Sequence, residues 1–294
     1  MEYIKTEKRG EIFIVQINRP ERLNALGYQV RTELAEAWTE FRESSDLEVG
    51  IFTGTGRAFC AGEDMKESLE LGIVGGKRPT IDDPLMSGAL EKPVICAVNG
   101  YAMGGGFMLV ESTDLRIATP EAIFEVSEAK RWLLGGYNHG HLAAVSHPVA
   151  TEMALGYRFT AQRFYEIGFL NRIVEADNLI PTAIEMGEHM LSLPPASRVN
   201  TIQMMREMRP NINPDLQKLA EALKNHGDDN DLVESRRAFA EKRKPYFAGW
   251  SNPEDRYLLP MNFKTLNLIL GNACPDMHFN MHLELTMHVL TCIA

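Results

Sequence analysis

Three consecutive glycines, Gly104, Gly105 and Gly106, stand between the strand-like run "PVICAVNG" and the apolar run "FMLV". Glycine is the poorest ordinary helix former after proline. Three together at the mouth of a helix require that something approach this backbone more closely than a side chain permits. A second glycine turn, "FCAGED", follows another strand-like run, "VGIFTGTG". Similar runs recur at 11–18 ("EIFIVQIN"), 93–99 ("PVICAVN") and 114–119 ("DLRIAT"). From Tyr28 to Ser44 the apolar positions Val30, Leu34, Ala37, Trp38 and Phe41 repeat at helical spacing. Strands alternating with helices predict an α/β core with parallel strands. From about residue 150 onward the pattern is mostly helical.

With 294 residues the chain can form one large domain or two small ones. Its formal net charge of −10 argues against a nucleic-acid partner. The four cysteines form no CxxC pair and read as buried, reduced thiols, which with the absence of a leader-like N-terminus predicts a cytoplasmic protein. No run of about 18 apolar residues predicts a membrane span. The Gly/Pro-rich stretch 72–84 reads as a polar loop or a lid over a site. Residues 261–294 shift in composition, carrying only Lys264, Asp276 and Glu284 as charges. His278 and His282 there stand one helical turn apart, but no third ligand is fixed by the pattern, so no metal site is assigned. This tail reads as an apolar contact surface or an extension.

In parallel α/β folds ligands gather at the carboxyl ends of strands. A helix beginning there leaves backbone N–H groups without intrahelical partners. Two such groups, one from each glycine turn, converging on one oxygen would form an oxyanion hole, which stabilises charge developing on a carbonyl. The plainer alternative is that the glycines only allow close helix–sheet packing. "GTGRAF" fails as a dinucleotide fingerprint, since Phe59 occupies the third glycine position, and no GxxxxGK[ST] occurs.

The motifs "NRPERLNAL", "GTGRAFCAGEDMKE", "KPVICAVNGYAMGGGF", "DLRIA", "FEVSEAK" and "AFAEKRKP", in this order from about residue 3 to 248, resemble the enoyl-CoA hydratase/isomerase (crotonase) superfamily. The resemblance implies an α/β, crotonase-like spiral of ββα units with a C-terminal helical trimerisation region. It divides the chain into a spiral core with an acyl-CoA site (1–195), a helical oligomerisation region (196–260) and the atypical tail (261–294). It implies an acyl-CoA substrate, a homotrimer or dimer of trimers, and no cofactor beyond the coenzyme A of the substrate. Carried over position by position, the oxyanion amides belong to Glu63 and Gly105. The coenzyme A contacts fall at Arg22, Leu23, Ala25, Ala61 and Asp64, with Lys242 matching a lysine that meets the nucleotide phosphate, often from a neighbouring subunit. Lys242 also reads as an ordinary solvated charge.

One of the two glutamates expected in family hydratases is replaced by Met108, which cannot exchange a proton. The other is present as Glu128. Candidate auxiliary groups are Glu111, three residues after Met108, and Tyr137 and His139 in the aromatic-rich segment "RWLLGGYNHGHLA". The expected activity is hydration of an enoyl-CoA thioester, or the reverse dehydration. The alternatives are a Δ3,Δ2-type double-bond isomerase, which suits a single carboxylate, and a non-catalytic acyl-CoA binding protein.

Overall fold

The computed structural model describes residues 1–72, 76–131, 134–135, 145–209, 218–220, 222–223, 226–227, 229–250, 252 and 254. Tyr137, His139 and the tail 261–294 lie outside the described residues.

The chain opens with an antiparallel hairpin of β1 (Ile4–Arg9) and β2 (Ile12–Ile17), turning at Gly10. Sequence periodicity predicts only the second strand. In β1 every residue but Ile4 is exposed and most are charged, as suits an edge strand protected from pairing with another chain. Helix α1 (Tyr28–Glu43) comes next, with Val30, Leu34, Ala37, Trp38 and Phe41 buried, the face that the spacing predicts.

The architecture then repeats. Strand β3 (Val49–Gly54) leads to the short β4 (Ala58–Cys60) and to α2 (Met65–Leu71), followed by the single turn α3 (Pro84–Ser87). Strand β5 (Val94–Val98) leads to β6 (Tyr101–Met103) and α4 (Gly105–Glu111). Strand β7 (Leu115–Ala118) leads to β8 (Ile123–Glu125). Helix α5 (His147–Ala154), β9 (Arg158–Thr160), α6 (Ala161–Glu166) and β10 (Arg172–Ile173) complete the core. Helices α7 (Leu179–Leu191), α8 (Pro195–Glu207) and α9 (Asp229–Ala240) lie beyond it in the chain.

Each ββ pair gives one strand to each of two sheets, so the chain advances as a spiral. The large sheet runs β1-β2-β3-β5-β7-β10 and the small one β4-β6-β8-β9. Every pairing from β2 onward in the large sheet is parallel, as are β4–β6 and β6–β8. Strands β4 and β6 fall inside segments that read as glycine turns and β9 inside the stretch that reads as helical, because three residues are too few for a periodic signal. β3 and β5 are buried throughout, which explains their uninterrupted apolar runs. Their side chains alternate between two cores: Phe52 and Cys96 pack with Trp38 and Phe41 of α1, whereas Ile51 and Ile95 pack with Leu179, Ala183 and Met186 of α7.

The C-terminal helices are tied back to this core by arginines. Buried Arg198 of α8 pairs with Glu48 and donates to the Met190 carbonyl at 3.2 Å. Arg206 binds Asp114 through Nε at 2.8 Å and Nη2 at 2.6 Å and also donates to the Leu90 carbonyl. Helix α9 lies against α2 and the turn at Ala129–Arg131. Among the described residues no helix is long and apolar enough to cross a membrane.

One buried amide organises the loop between β2 and α1. Asn24 is fully buried at φ 57°, a left-handed conformation that asparagine tolerates better than most residues. Its Oδ1 accepts from the Arg19 amide at 2.8 Å, while Nδ2 donates to the carbonyls of Thr55 at 3.0 Å and Ala58 at 2.7 Å. Asn24→Ala takes this partner from the Arg19 amide and the Thr55 carbonyl, while the Ala58 carbonyl keeps Asn99 Nδ2 at 3.1 Å. Urea unfolding of that variant is expected to show a loss of about 2–4 kcal/mol.

Candidate active site

Two segments far apart in sequence are drawn together beside the first glycine turn. Ala61 donates its amide to the Leu23 carbonyl at 3.0 Å, and Leu26 donates to the Gly62 carbonyl at 2.7 Å. Leu26 and Glu63 thereby form an isolated parallel bridge. Both flanking bonds fix the direction of one amide. The Gly62–Glu63 peptide is trans, so with its carbonyl turned to Leu26 the Glu63 N–H must point the opposite way. The same reasoning applies at the second turn. The Gly104 carbonyl accepts from Met108 at 3.0 Å inside α4, so the Gly105 N–H points out of the helix start.

The glycines hold these turns against each other. A Cβ on Gly62, which has φ 85°, would sit 2.6 Å from the Met103 carbonyl oxygen and 3.3 Å from the Gly105 nitrogen. One on Gly106 would overlap the Cys60 carbonyl. One on Gly105 would meet only the Leu26 side chain at 3.2 Å and the Gly62 Cα at 3.9 Å. Gly62 and Gly106 are therefore glycine for close packing, and Gly105 is glycine at the face left open.

Both turns line a cavity of about 560 Å³. It gathers Glu63, Gly105 and Glu128 together with Arg22, Leu23, Ala25, Ala61 and Asp64. The Asp64 carboxylate itself is occupied: it caps α2 through the amides of Lys66 and Glu67 and binds Arg19 at 2.9 Å. Lys242 is exposed beyond the end of α9 and is not among the residues lining this cavity.

Glu128 arrives through β8. Parallel pairing of β6 with β8 and the bond from Gly104 N to the Glu125 carbonyl at 2.8 Å carry the next residues alongside the glycine turn. The Glu128 Oε1 ends 3.7 Å from the place a Cβ on Gly104 would take. The neighbouring carboxylate of Glu125 is committed elsewhere. Lys130 and Arg158 each reach it at 2.9 Å and Ser127 at 3.0 Å. Burial opposes ionisation of Glu125, but these donors outweigh it and hold its carboxyl below the ordinary range. Of the two, Glu128 is the one that faces the glycine turn.

On the other side of Gly105 lies a smaller chamber of about 240 Å³, lined by Leu26, Leu34, Leu109, Met86 and Met108. Its wall also carries Arg31, Arg78, Asp82 and Asp83, with Pro79 and Ile81 from the loop read as a lid. Burial pushes the Asp83 carboxyl up to about 6, although it caps α3 by accepting from Leu85 at 2.9 Å and Met86 at 3.3 Å. Glu111 is buried in a third chamber of about 290 Å³ beyond Met108, apart from the cavity that holds Glu128. Glu111 is not among the residues lining the cavity that holds Glu128.

Helix α9 supplies two residues that sequence reasoning missed. Arg236 and Phe239 line the main cavity, and Arg236 lies 3.7 Å from the Glu63 carboxylate. Arg131, also lining it, stacks over the Phe239 ring at 4.3 Å. The only sequence signal was the charged helix "ESRRAFAEKRK", which reads equally as a solvated surface. Arg31 was missed for the same reason, as one charge within an amphipathic helix.

An α/β spiral with two outward-turned amides and a carboxylate at a glycine turn is a framework suited to holding a carbonyl oxygen. The family model of enoyl-CoA hydratase/isomerase matches residues 7–250, and the chain belongs to that family. It is 34% identical over 248 residues to the short-chain-enoyl-CoA hydratase of Clostridium acetobutylicum, covering 81% of this chain and 94% of the relative. It is 36% identical over 182 residues to the mevalonyl-coenzyme A hydratase of Aspergillus fumigatus, covering 60% and 67%. The crystal structure of carnitinyl-CoA hydratase from Mycobacterium avium superposes with a TM-score of 0.71 at 27% identity, covering 84% of this chain and 99% of that one. The fold is the crotonase fold.

Two measurements probe this packing. Gly106→Ala is expected to lower the melting temperature far more than Gly105→Ala, because a backbone carbonyl cannot yield as the Leu26 side chain can. Equal shifts on thermal unfolding contradict the assignment of Gly106 to packing. Asp83 has its folded pKa raised, so its contribution to stability is complete below about pH 4 and is lost as pH rises through about 6. Asp83→Asn keeps an acceptor for the α3 amides without the charge. Its melting temperature relative to the parent is expected to rise between pH 4 and pH 7.

Proposed function

We propose that the chain hydrates the double bond of an enoyl-CoA thioester, or runs the reverse dehydration, through an enolate held by the amides of Glu63 and Gly105. The observation that carries this reading is the pair of outward-turned amides with Glu128 beside the same glycine turn. Coenzyme A enters through the main cavity along Arg22–Ala25 and Ala61–Asp64, and the acyl chain passes Gly105 into the smaller chamber.

In the addition, Glu128 takes a proton from water as the water oxygen bonds to Cβ. The π electrons move through Cα to the thioester oxygen, which the two amides stabilise. The proton now on Glu128 passes to Cα, the carbonyl re-forms, and the carboxylate is regenerated. One group thus serves as base and then as acid, so Met108 leaves the sequence of steps complete. Loss of either amide donor costs on the order of 2.7–4 kcal/mol in the barrier. The thioester itself acidifies Cα, and the reading needs no cofactor besides the coenzyme A of the substrate.

Met108 specifically favours a second reading, a Δ3,Δ2-type isomerase. There Glu128 removes a proton from Cα and returns it to the γ-carbon, with no water taking part. The family covers both activities. A homotrimer or dimer of trimers belongs to the proposal as well, supported by the outward face of α8, where Met204, Met205 and Met208 are 61%, 56% and 64% exposed.

A panel of 2-enoyl- and 3-enoyl-CoA thioesters separates the readings. Hydration removes conjugation and adds the mass of water; isomerisation moves the double bond at constant mass; a binding protein does neither. Glu128→Gln is expected to lower kcat by about 10²–10⁴-fold with acyl-CoA affinity largely retained. Full turnover in that variant rules out Glu128 as the proton carrier.

A further inference from the structure

The chamber that receives the acyl chain is not lined as a hydrocarbon would require. Arg31 projects from α1 into the wall it shares with Leu26, Leu34, Gly105 and Met108. Its position is set by the Leu26 carbonyl, which accepts from Arg31 Nε at 3.3 Å. That same carbonyl accepts from Asp64 at 3.4 Å, on the far side of the Leu26–Glu63 bridge. The guanidinium therefore lines the smaller chamber beside the segment that pairs with Glu63.

Apart from this one long bond, the Arg31 guanidinium has no hydrogen-bond acceptor and no carboxylate in ion-pair range among the described residues. Glu63 and Glu67 attract the guanidinium from beyond ion-pair range, but the carboxylates are held elsewhere: Glu67 accepts from the Tyr28 amide at 2.6 Å, and Asp83 caps α3. Glu63 lies 3.7 Å from Arg236, and Asp82 is exposed at the chamber rim. The second cation in the chamber, Arg78, stands close enough to repel it: burial first, and then Arg78, lower the guanidinium to about 10. Arg78 is exposed and Asp82 and Asp83 share the lining, so the cost falls on Arg31, a half-buried guanidinium with no carboxylate in ion-pair range among the described residues, which an anion relieves. A planar carboxylate matches the two free ends of a guanidinium fork.

We infer that the acyl group carries a distal carboxylate, bound by Arg31 with Arg78 at the rim, so that the substrate is the CoA monothioester of an unsaturated dicarboxylic acid. The inference rests on the acyl-CoA reading of the cavity. An unbranched alkyl chain instead leaves Arg31 buried without a counter-ion. Specificity for the acid stems from this penalty as much as from the bond gained.

Affinity of the full-length protein for two saturated, unreactive thioesters tests this independently of turnover. Adipoyl-CoA, with a free terminal carboxylate, is expected to bind at least about tenfold more tightly than hexanoyl-CoA, as a charge-assisted pair provides. Arg31→Met is expected to erase that preference while hexanoyl-CoA binds as well or better. Arg31→Lys keeps part of it, and Arg78→Met reduces it by a smaller factor. Equal or stronger binding of hexanoyl-CoA by the parent protein overturns the inference without any variant, as does an undiminished preference in Arg31→Met. The matching hex-2-enoyl and hex-2-enedioyl thioesters then separate the two claims. An acid preference in binding with neither thioester hydrated sinks the hydratase reading alone. Hydration of both with no preference sinks this inference alone.

Discussion

The Leu26 main chain bonds to both flanks of Glu63, accepting from Asp64 and donating to Gly62. Few contacts in the molecule settle as much. Because a trans peptide opposes its own carbonyl and amide, this pairing turns the Glu63 N–H away from Leu26 without any side chain taking part. It aligns the 22–26 segment with 61–64, which builds one wall of the large cavity. It also places the Leu26 carbonyl where it can orient Arg31. The buried Asn24 amide, two residues earlier, holds the entry to this segment in its left-handed turn. Backbone hydrogen bonds of this kind tolerate sequence change in the side chains around them, so the framework can be kept while the chemistry is altered.

Met108 is such an alteration. It sits on α4 one turn beyond Gly104, at the boundary between the acyl chamber and the third chamber that holds Glu111. On the proposed reading, a thioether there leaves proton transfer to Glu128. Glu125 does not compete, since Lys130, Arg158 and Ser127 keep its carboxylate in place as part of the scaffold. That reading gives the site one proton carrier and two fixed dipoles, beside a chamber whose polar lining is arginine and aspartate.

Much of this could be read in the sequence. The uninterrupted runs of β3 and β5 reflect burial on both faces, and the spacing within α1 reports its packed side. The glycines of both turns were informative because a side chain at Gly62 or Gly106 would collide with backbone. The charged edge strand β1 and the three-residue strands β4 and β6 left no periodic trace. Arg31, Arg236 and Phe239 were illegible for a different reason. A charge or ring on a helix acquires its role only when a distant segment supplies the other wall, and neither local propensity nor spacing encodes which segment that is.

Helix α9 builds a cavity wall out of the far end of the chain, and this has a consequence for the order of assembly. The glycine turns and Glu128 belong to the first half of the sequence, but Arg236 and Phe239 close over them from residues 229–240. A nascent chain emerging from the ribosome can pair its strands long before it has this wall. The glycine turns and Glu128 can therefore take their places before this wall exists, and the cavity is complete only once α9 docks. The wall comes later in the life of the chain than the groups it covers.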